Sequence, residues 1–359
     1  MTINRRVAIG RVLLSTQAAS PVVARAQGGP VVRGALPGIG FLSPFSRSDS
    51  ERTRTAFASG MQERGLASGK DYAIHERYAD GNLARLDALA QELAALKVSQ
   101  IVAVTTPAAD AAHRAAAATP IVFVGVTDDE IPEFADSLSR PGRNVTGLGM
   151  YALADKIQVP TRGIRPTARP DATPPRFQGD LNPKRLELLK RTLPRLTRVV
   201  LLVVPSPREG PGTLLLDQSA QGLSLQIGRA AVTAAEQIDA AIDPIAADGT
   251  AAVLVSSSAT HYALRARIAE RTLARRVPSM FAYAEGPDAG GLMSYGSDMM
   301  EMCRGAAAYA DKILRGAKPA DLPIELPRKL DLVLNLRTAA MLGLAIPTSI
   351  ALQATRTIE

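Results

Sequence analysis

The chain has 359 residues, 46% of them hydrophobic and 21% charged, with one cysteine, no tryptophan and a formal net charge of +8. That length suits two ordinary domains, and that composition excludes a disordered chain. A single cysteine excludes an internal disulfide or a thiolate metal cluster, and no apolar run reaches the roughly 18 residues of a membrane-spanning helix.

Much of the positive charge lies at the start. Residues 1–26 hold Arg5, Arg6, Arg11 and Arg25 and no acid, so the remainder carries only +4. Those remaining charges are interspersed, with neither a basic stripe nor interleaved aromatics, and no nucleic-acid partner is expected. The same segment reads as an export signal. Arg5-Arg6 is the positive start, Val7 to Val23 the apolar middle, and Ala24-Arg25-Ala26 the small-x-small cleavage site. Cleavage near Ala26 and a periplasmic location are expected.

The first strand is predicted at Ile39 to Leu42, ending at Ser43-Pro44. Ser48 and Glu51 have capping-box spacing for the helix that follows, and Gly65 is a plausible stop. Tyr72 to Tyr78 reads as a strand. From Asn82, the residues Leu83, Leu86, Leu89, Ala90, Leu93 and Leu96 recur at helical spacing. Ile101 to Val104 stops at Thr105-Thr106-Pro107, an Ala-rich helix runs from Ala108 to Ala118, and Ile121 to Val126 stops at Thr127-Asp128. This alternation makes a first lobe.

Ala152 to Asp180 breaks the pattern with five prolines and little periodicity, as an irregular insertion would. A helix around Leu186 to Thr192 then precedes a strand from Val199 to Val204, which stops at Pro205-Ser206. Val253 to Val255 stops at Ser256-Ser257-Ser258. A long helix is predicted from Thr260 to Arg276, strands at Val277 to Ala282 and Gly291 to Tyr295, and a helix from Met299 to Arg315. A proline-punctuated crossing (Pro319 to Pro327), a strand (Leu330 to Leu334) and a helix stopped by Gly343 end the chain.

Continuous apolar strands covered by helices describe an α/β fold with mostly parallel sheets. Ligands in such sheets sit beyond the carboxyl ends of the strands. The candidate contacts are therefore the loop hydroxyls Ser43, Thr105, Thr106, Ser206, Ser256 and Ser257, with Asp128 for an amine or hydroxyl. The loop-end aromatics Phe45, Tyr151, Phe281, Tyr283 and Tyr295 would wall part of a cleft.

Chemistry is less visible. Gly38-Ile39-Gly40 lies before and inside a strand, so the dinucleotide fingerprint fails on context. There is no phosphate loop and no nucleophile elbow. His75, His113 and His261 lack metal-ligand spacing. A pairing of Ser257 with His261 has no orienting acid, and His261 is expected at a helix start in solvent. Cys303 falls within a helix as a packing residue. No catalytic, metal or cofactor site is expected. A two-domain enzyme would need a coherent acid, base or nucleophile set, and a sugar-responsive transcription factor would need a DNA-binding segment that residues 1–38 do not supply.

Gly290-Gly291-Leu292-Met293-Ser294-Tyr295-Gly296, Ile313 to Pro323, and Leu334-Asn335-Leu336-Arg337-Thr338-Ala339 with Leu342 to Pro347 closely resemble one family. It is the ABC-transporter substrate-binding proteins, in the tryptophan/tyrosine-type or uncharacterised branch. Thr106-Pro107-Ala108, Thr119 to Val124 and Leu138 to Gly147 agree. The resemblance spans about residues 38–151 and 183–359. It implies a type I periplasmic binding-protein fold with two Rossmann-like lobes joined by crossing hinge segments. It also implies a monomer that holds a small-molecule solute between the lobes and delivers it to ABC permease membrane subunits. The family's cleft contacts would fall near Ser43, Thr106, Asp128, Ser257, Tyr283 and Tyr295. Residues 27–147 with about 281–322 would form lobe 1, and 148–280 with about 323–359 lobe 2, the 152–180 insertion lying within lobe 2. Three departures stand out: that insertion, Ala284 to Asp288, and a leader poorer than usual.

Overall fold

The computed structural model describes residues 36–116, 118–127, 130–150, 181–205, 211–245, 247, 249–327 and 329–359. Asp128, Tyr151, Ser206 and the expected insertion at 152–180 lie outside these residues.

The first lobe opens with β1 (Gly38–Ser43), α1 (Arg47–Gln62), β2 (Ala73–Tyr78), α2 (Leu86–Ala95) and β3 (Gln100–Val104). It continues with α3 (Thr106–Ala115), β4 (Ile121–Val126), a short α4 (Ile131–Phe134) and β5 (Val145–Gly149). The second lobe holds α5 (Asn182–Thr192), β6 (Arg198–Val203), α6 (Pro211–Gly222), β7 (Gln226–Ala231), α7 (Gln237–Ile242) and β8 (Ala251–Val255). Then follow α8 (Ala259–Ala263), α9 (Arg265–Ala274), β9 (Ser279–Phe281), α10 (Glu285–Asp288) and β10 (Met293–Gly296). The helix α11 (Met299–Leu314) packs in the first lobe, and β11 (Asp331–Asn335), α12 (Leu336–Met341), α13 (Thr348–Ala351) and β12 (Arg356–Ile358) complete the second.

The first sheet is parallel, in the order β2-β1-β3-β4-β5. The second repeats that order as β7-β6-β8-β9-β10, also parallel, then adds β11 antiparallel to β10 and β12 parallel to β11. Two α/β lobes with mostly parallel sheets are thus established.

The apolar runs are continuous because both faces of each sheet are covered. Val102 and Val104 enter the core beneath α1 and α11, while Ile101 and Ala103 enter the opposite core beneath α2 and α3. Ala252 and Leu254 face one core of the second lobe, Val253 and Val255 the other. A strand wet on one face would alternate apolar with polar residues instead.

Three expectations need correction. The cap of α1 is Ser46, whose hydroxyl accepts from Asp49 N at 3.1 Å, while Glu51 pairs with Arg54. The chain enters the helix two residues earlier than Ser48 and Glu51 suggested. The long helix at 260–276 is two helices meeting at Leu264, with Ser258 as its cap. The return to the first lobe, expected near residue 281, comes at α11: β9 and β10 both pair in the second sheet. An apolar run shows that a strand is buried but not which sheet it joins.

Close approach of α1 and α11 welds the returning segment to the first lobe. A Cβ on Gly60 would lie 2.4 Å from Arg304 O and 2.8 Å from Ala307 Cβ. The first obstacle is backbone, so the helices would have to separate. Gly60→Val is expected to cost about 1–3 kcal/mol and to lower Tm by several degrees. Thermal and urea unfolding check this; an unchanged midpoint would show that the contact is looser than described.

Candidate functional site

In a 2-1-3-4-5 sheet the strand order reverses between the first and third strands, opening a crevice at their carboxyl ends. In the first lobe those ends are Ser43 and Val104, followed by Thr105 and Thr106. In the second they are Val203 and Val255, followed by Ser256, Ser257 and Ser258.

The two crevices meet. Phe45, just past β1, stacks on Tyr262 of α8 with centroids 4.3 Å apart and planes at 33°. Tyr262 meets Tyr283 edge to face at 5.3 Å. The Arg265 guanidinium lies 4.6 Å over the Tyr262 ring and donates to Asp49 Oδ1 at 2.7 Å. Arg52 donates to Asp288 at 3.1 Å, and Arg356 holds the same carboxylate at 2.7 Å. Asp49 and Arg52 share one side of the first turns of α1, and Phe45 lies just before that helix. Ala259, Tyr262, Ala282 and Tyr283 accordingly share a core with first-lobe residues. Behind the seam, a crevice lined by Ser256, His261, Tyr262, Arg265 and Tyr283 encloses about 10 Å³, on the order of one water molecule.

The candidate residues have different fates. Ser43 is fully buried; its hydroxyl meets Ser50 Oγ at 2.8 Å and accepts from Phe45 N, which shapes the loop. Thr106 Oγ1 accepts from Thr127 N at 3.3 Å. Thr105 is different. It sits at φ 71°, unusual for a β-branched residue, is 4% exposed, and its hydroxyl has no partner among the described residues. It also leaves the start of α3 without a side-chain cap. Such strain, worth about 1–3 kcal/mol, clusters at functional sites.

In the second lobe, Ser257 Oγ meets Tyr283 OH at 3.0 Å. Phe281 reaches the crevice, but its ring mainly packs on Gly286 and Gly291 in the core. Tyr295 is half-buried between two cores. The histidine partner is Ser256, not Ser257, and His261 is 1% exposed rather than in solvent. Its Nε2 faces the Val232 carbonyl at 3.0 Å, which can only accept; Nε2 therefore carries the proton and Nδ1 accepts from Ser256 Oγ at 2.9 Å. The imidazole fastens the β8 loop to the end of β7 and, among the described residues, has no carboxylate behind it.

Burial sets the electrostatics. It raises the phenol pKa of Tyr262 and Tyr283, so both hydroxyls stay protonated and can donate. It also raises the Glu285 carboxyl, which the nearby Arg52 and Arg265 charges lower only in part. Sequence reasoning missed Tyr262, Arg265, Asp49 and Arg52. Helical spacing groups them on each helix, but only the fold pairs them.

Burial lowers the His261 pKa, with its hydrogen bonds opposing. The unfolded chain then binds a proton more readily, so stability present above the ordinary histidine value of about 6.5 falls as pH drops below it. His261→Gln is expected to flatten the pH dependence of Tm between about pH 7 and 5; an unchanged slope would refute this. The Asp49–Arg265 pair is partly exposed, so a double-mutant cycle of Asp49→Asn and Arg265→Gln should give a coupling of only ~0.5–1 kcal/mol, smaller at high salt. Zero coupling at low salt would mean that the seam does not form in solution.

Two α/β lobes that meet at their strand ends define a bilobed binding-protein fold. The family described as ABC transporter substrate binding protein matches residues 39–164 and 180–358, and the chain belongs to that family. The resemblance carried by Gly290 to Gly296 and the later motifs is therefore borne out. A tyrosine-binding protein of Clostridioides difficile (strain R20291) is 26% identical over 131 residues, 36% of this chain and 38% of that protein. The aligned stretch thus spans well under half of the relative. The ABC domain in complex with L-Trp from Streptococcus pneumonia has a TM-score of 0.74 and 20% identity, over 90% of this chain and 100% of that one. A conserved domain protein from Vibrio cholerae O1 biovar eltor gives 0.73 and 23%, over 90% and 99%. These likenesses show the fold.

Proposed function

We propose that the protein is the solute-binding component of an ABC import system. It is exported to the periplasm after cleavage near Ala26, captures an amino acid or aromatic acid between its lobes, and hands it as a monomer to membrane permease subunits. The observation that carries this reading is the seam itself: aromatic rings from both lobes meet there, beside the hydrogen-bonded hydroxyls of Ser257 and Tyr283. The tyrosine-binding relative and the L-Trp complex of a structural neighbour support the choice of ligand class.

The mechanism needs no bond making. A ligand shifts the balance between separated and apposed lobes only by its difference in affinity for the two. Moving that balance from 1:99 to 99:1 takes about 5.5 kcal/mol. Burying one aromatic ring supplies roughly 1.5–3 kcal/mol and each net hydrogen bond about 1. One ring and four hydrogen bonds, about 5.5–7 kcal/mol together, therefore suffice. The Phe45, Tyr262 and Tyr283 rings would take the apolar part of the solute. The Thr105 hydroxyl, the uncapped start of α3 and the Ser257–Tyr283 pair would take its polar groups.

L-tyrosine, L-tryptophan and aromatic acids are expected to raise Tm while being recovered unchanged, and saturation should reduce the radius of gyration. Consumption of the compound would point to an enzyme. A radius unaffected at saturation would remove closure from the mechanism.

A further inference from the structure

Arg185 is the only residue of α5 whose charge is fully buried, at 1% exposure. A guanidinium cannot shed its proton, and burying one is unfavourable by several kcal/mol unless a counter-charge is present. Its Nε donates to Tyr295 O at 2.8 Å and its Nη1 to Asn182 Oδ1 at 2.9 Å, both neutral acceptors. Among the described residues no carboxylate pairs with it, and Nη2 makes no hydrogen bond.

Its placement adds to the imbalance. Arg185 stands near the start of α5, an eleven-residue helix with no side-chain cap and no acid in its first turn, where the helix dipole already contributes positive potential. Nη2 lies against Gly296, where a Cβ would be 3.5 Å away and would also collide with Ala282 O at 2.2 Å. Gly296 ends β10 at the crossing into α11, and Ala282 and Tyr283 line the crevice. The Arg185 charge opposes the burial-driven rise of both Tyr283 and Tyr295, which places all three in one electrostatic neighbourhood.

We propose that Arg185 reads the anionic group of the solute: a carboxylate entering beside Tyr283 and Ser257 becomes the counter-ion that the described protein lacks. This rests on the solute-binding reading above and narrows it, because an anionic group then becomes required and an ammonium group does not. Arg185 would recognise the ligand, and its bonds to Tyr295 O and Asn182 Oδ1 hold the guanidinium beside Gly296.

The test uses three indole probes on the intact protein, followed by calorimetry: L-tryptophan, indole-3-propionate (carboxylate only) and tryptamine (ammonium only). The matching tyrosine series is 3-(4-hydroxyphenyl)propionate and tyramine beside L-tyrosine. The carboxylates are expected to bind and the amines to be weaker by on the order of 100-fold. Arg185→Gln should lose a similar factor for the carboxylates and little for the amines, with Arg185→Lys in between. Circular dichroism of each variant separates lost recognition from lost folding, and the wild-type comparison stands even if a variant does not fold. Equal binding of tryptamine and indole-3-propionate would overturn the assignment, as would Arg185→Gln binding L-tryptophan unchanged. If no probe binds the folded wild type, the ligand class of the previous section falls, and this assignment with it.

Discussion

Everything in this molecule depends on two sheets that share a parallel 2-1-3-4-5 order presenting their carboxyl ends to each other. A parallel sheet collects its loops and helix starts at one edge, and a single such edge makes a shallow groove. Here two such edges face each other across the seam. The geometry is held by the chain passing between the lobes and by contacts among the passages. Ser297 donates to Met150 O, Glu325 N donates to Gly147 O at 3.0 Å, and Gly149 N donates to Glu325 O at 2.9 Å. The α1–α11 packing anchors the returning segment in the first lobe.

The seam combines interactions of different range. Phe45 on Tyr262 is short-range and apolar, and it disappears once the lobes part by a few ångströms. Asp49–Arg265 and Arg52–Asp288 act over longer distances and weaken with salt. Rings therefore favour contact once it is made, and charges favour the approach. Behind them the polar groups divide into two kinds. Ser43, Thr106 and Ser256 spend their hydroxyls on loops and on His261. Among the described residues, the Thr105 hydroxyl has no partner and Arg185 has only neutral acceptors. In an interior where nearly all polar groups are satisfied, such residues point to what a site accepts.

Much of the architecture was legible in the chain. The runs at Ile101 to Val104 and Ile121 to Val126 announced two-sided burial, and the hydroxyl residues after them marked strand ends. Less legible were β7 and β12, whose residues are partly exposed and lack an apolar run. The cap at Ser46 was also missed, because several serines compete within five residues and only the backbone path chooses among them.

The sequence by itself determined the layer architecture, the α/β alternation and the family, because these follow from local periodicity and from motifs such as Gly290 to Gly296. It also marked the loops at strand ends as the place for binding. Only the tertiary structure decided which hydroxyls remain available, that His261 is buried against Ser256, and that Tyr262, Arg265 and Asp49 form the seam. It alone showed that no carboxylate among the described residues pairs with Arg185. The reason is physical: periodicity records whether a residue faces a core, whereas pairing between residues such as Asp49 and Arg265 depends on how separate elements are brought together in space.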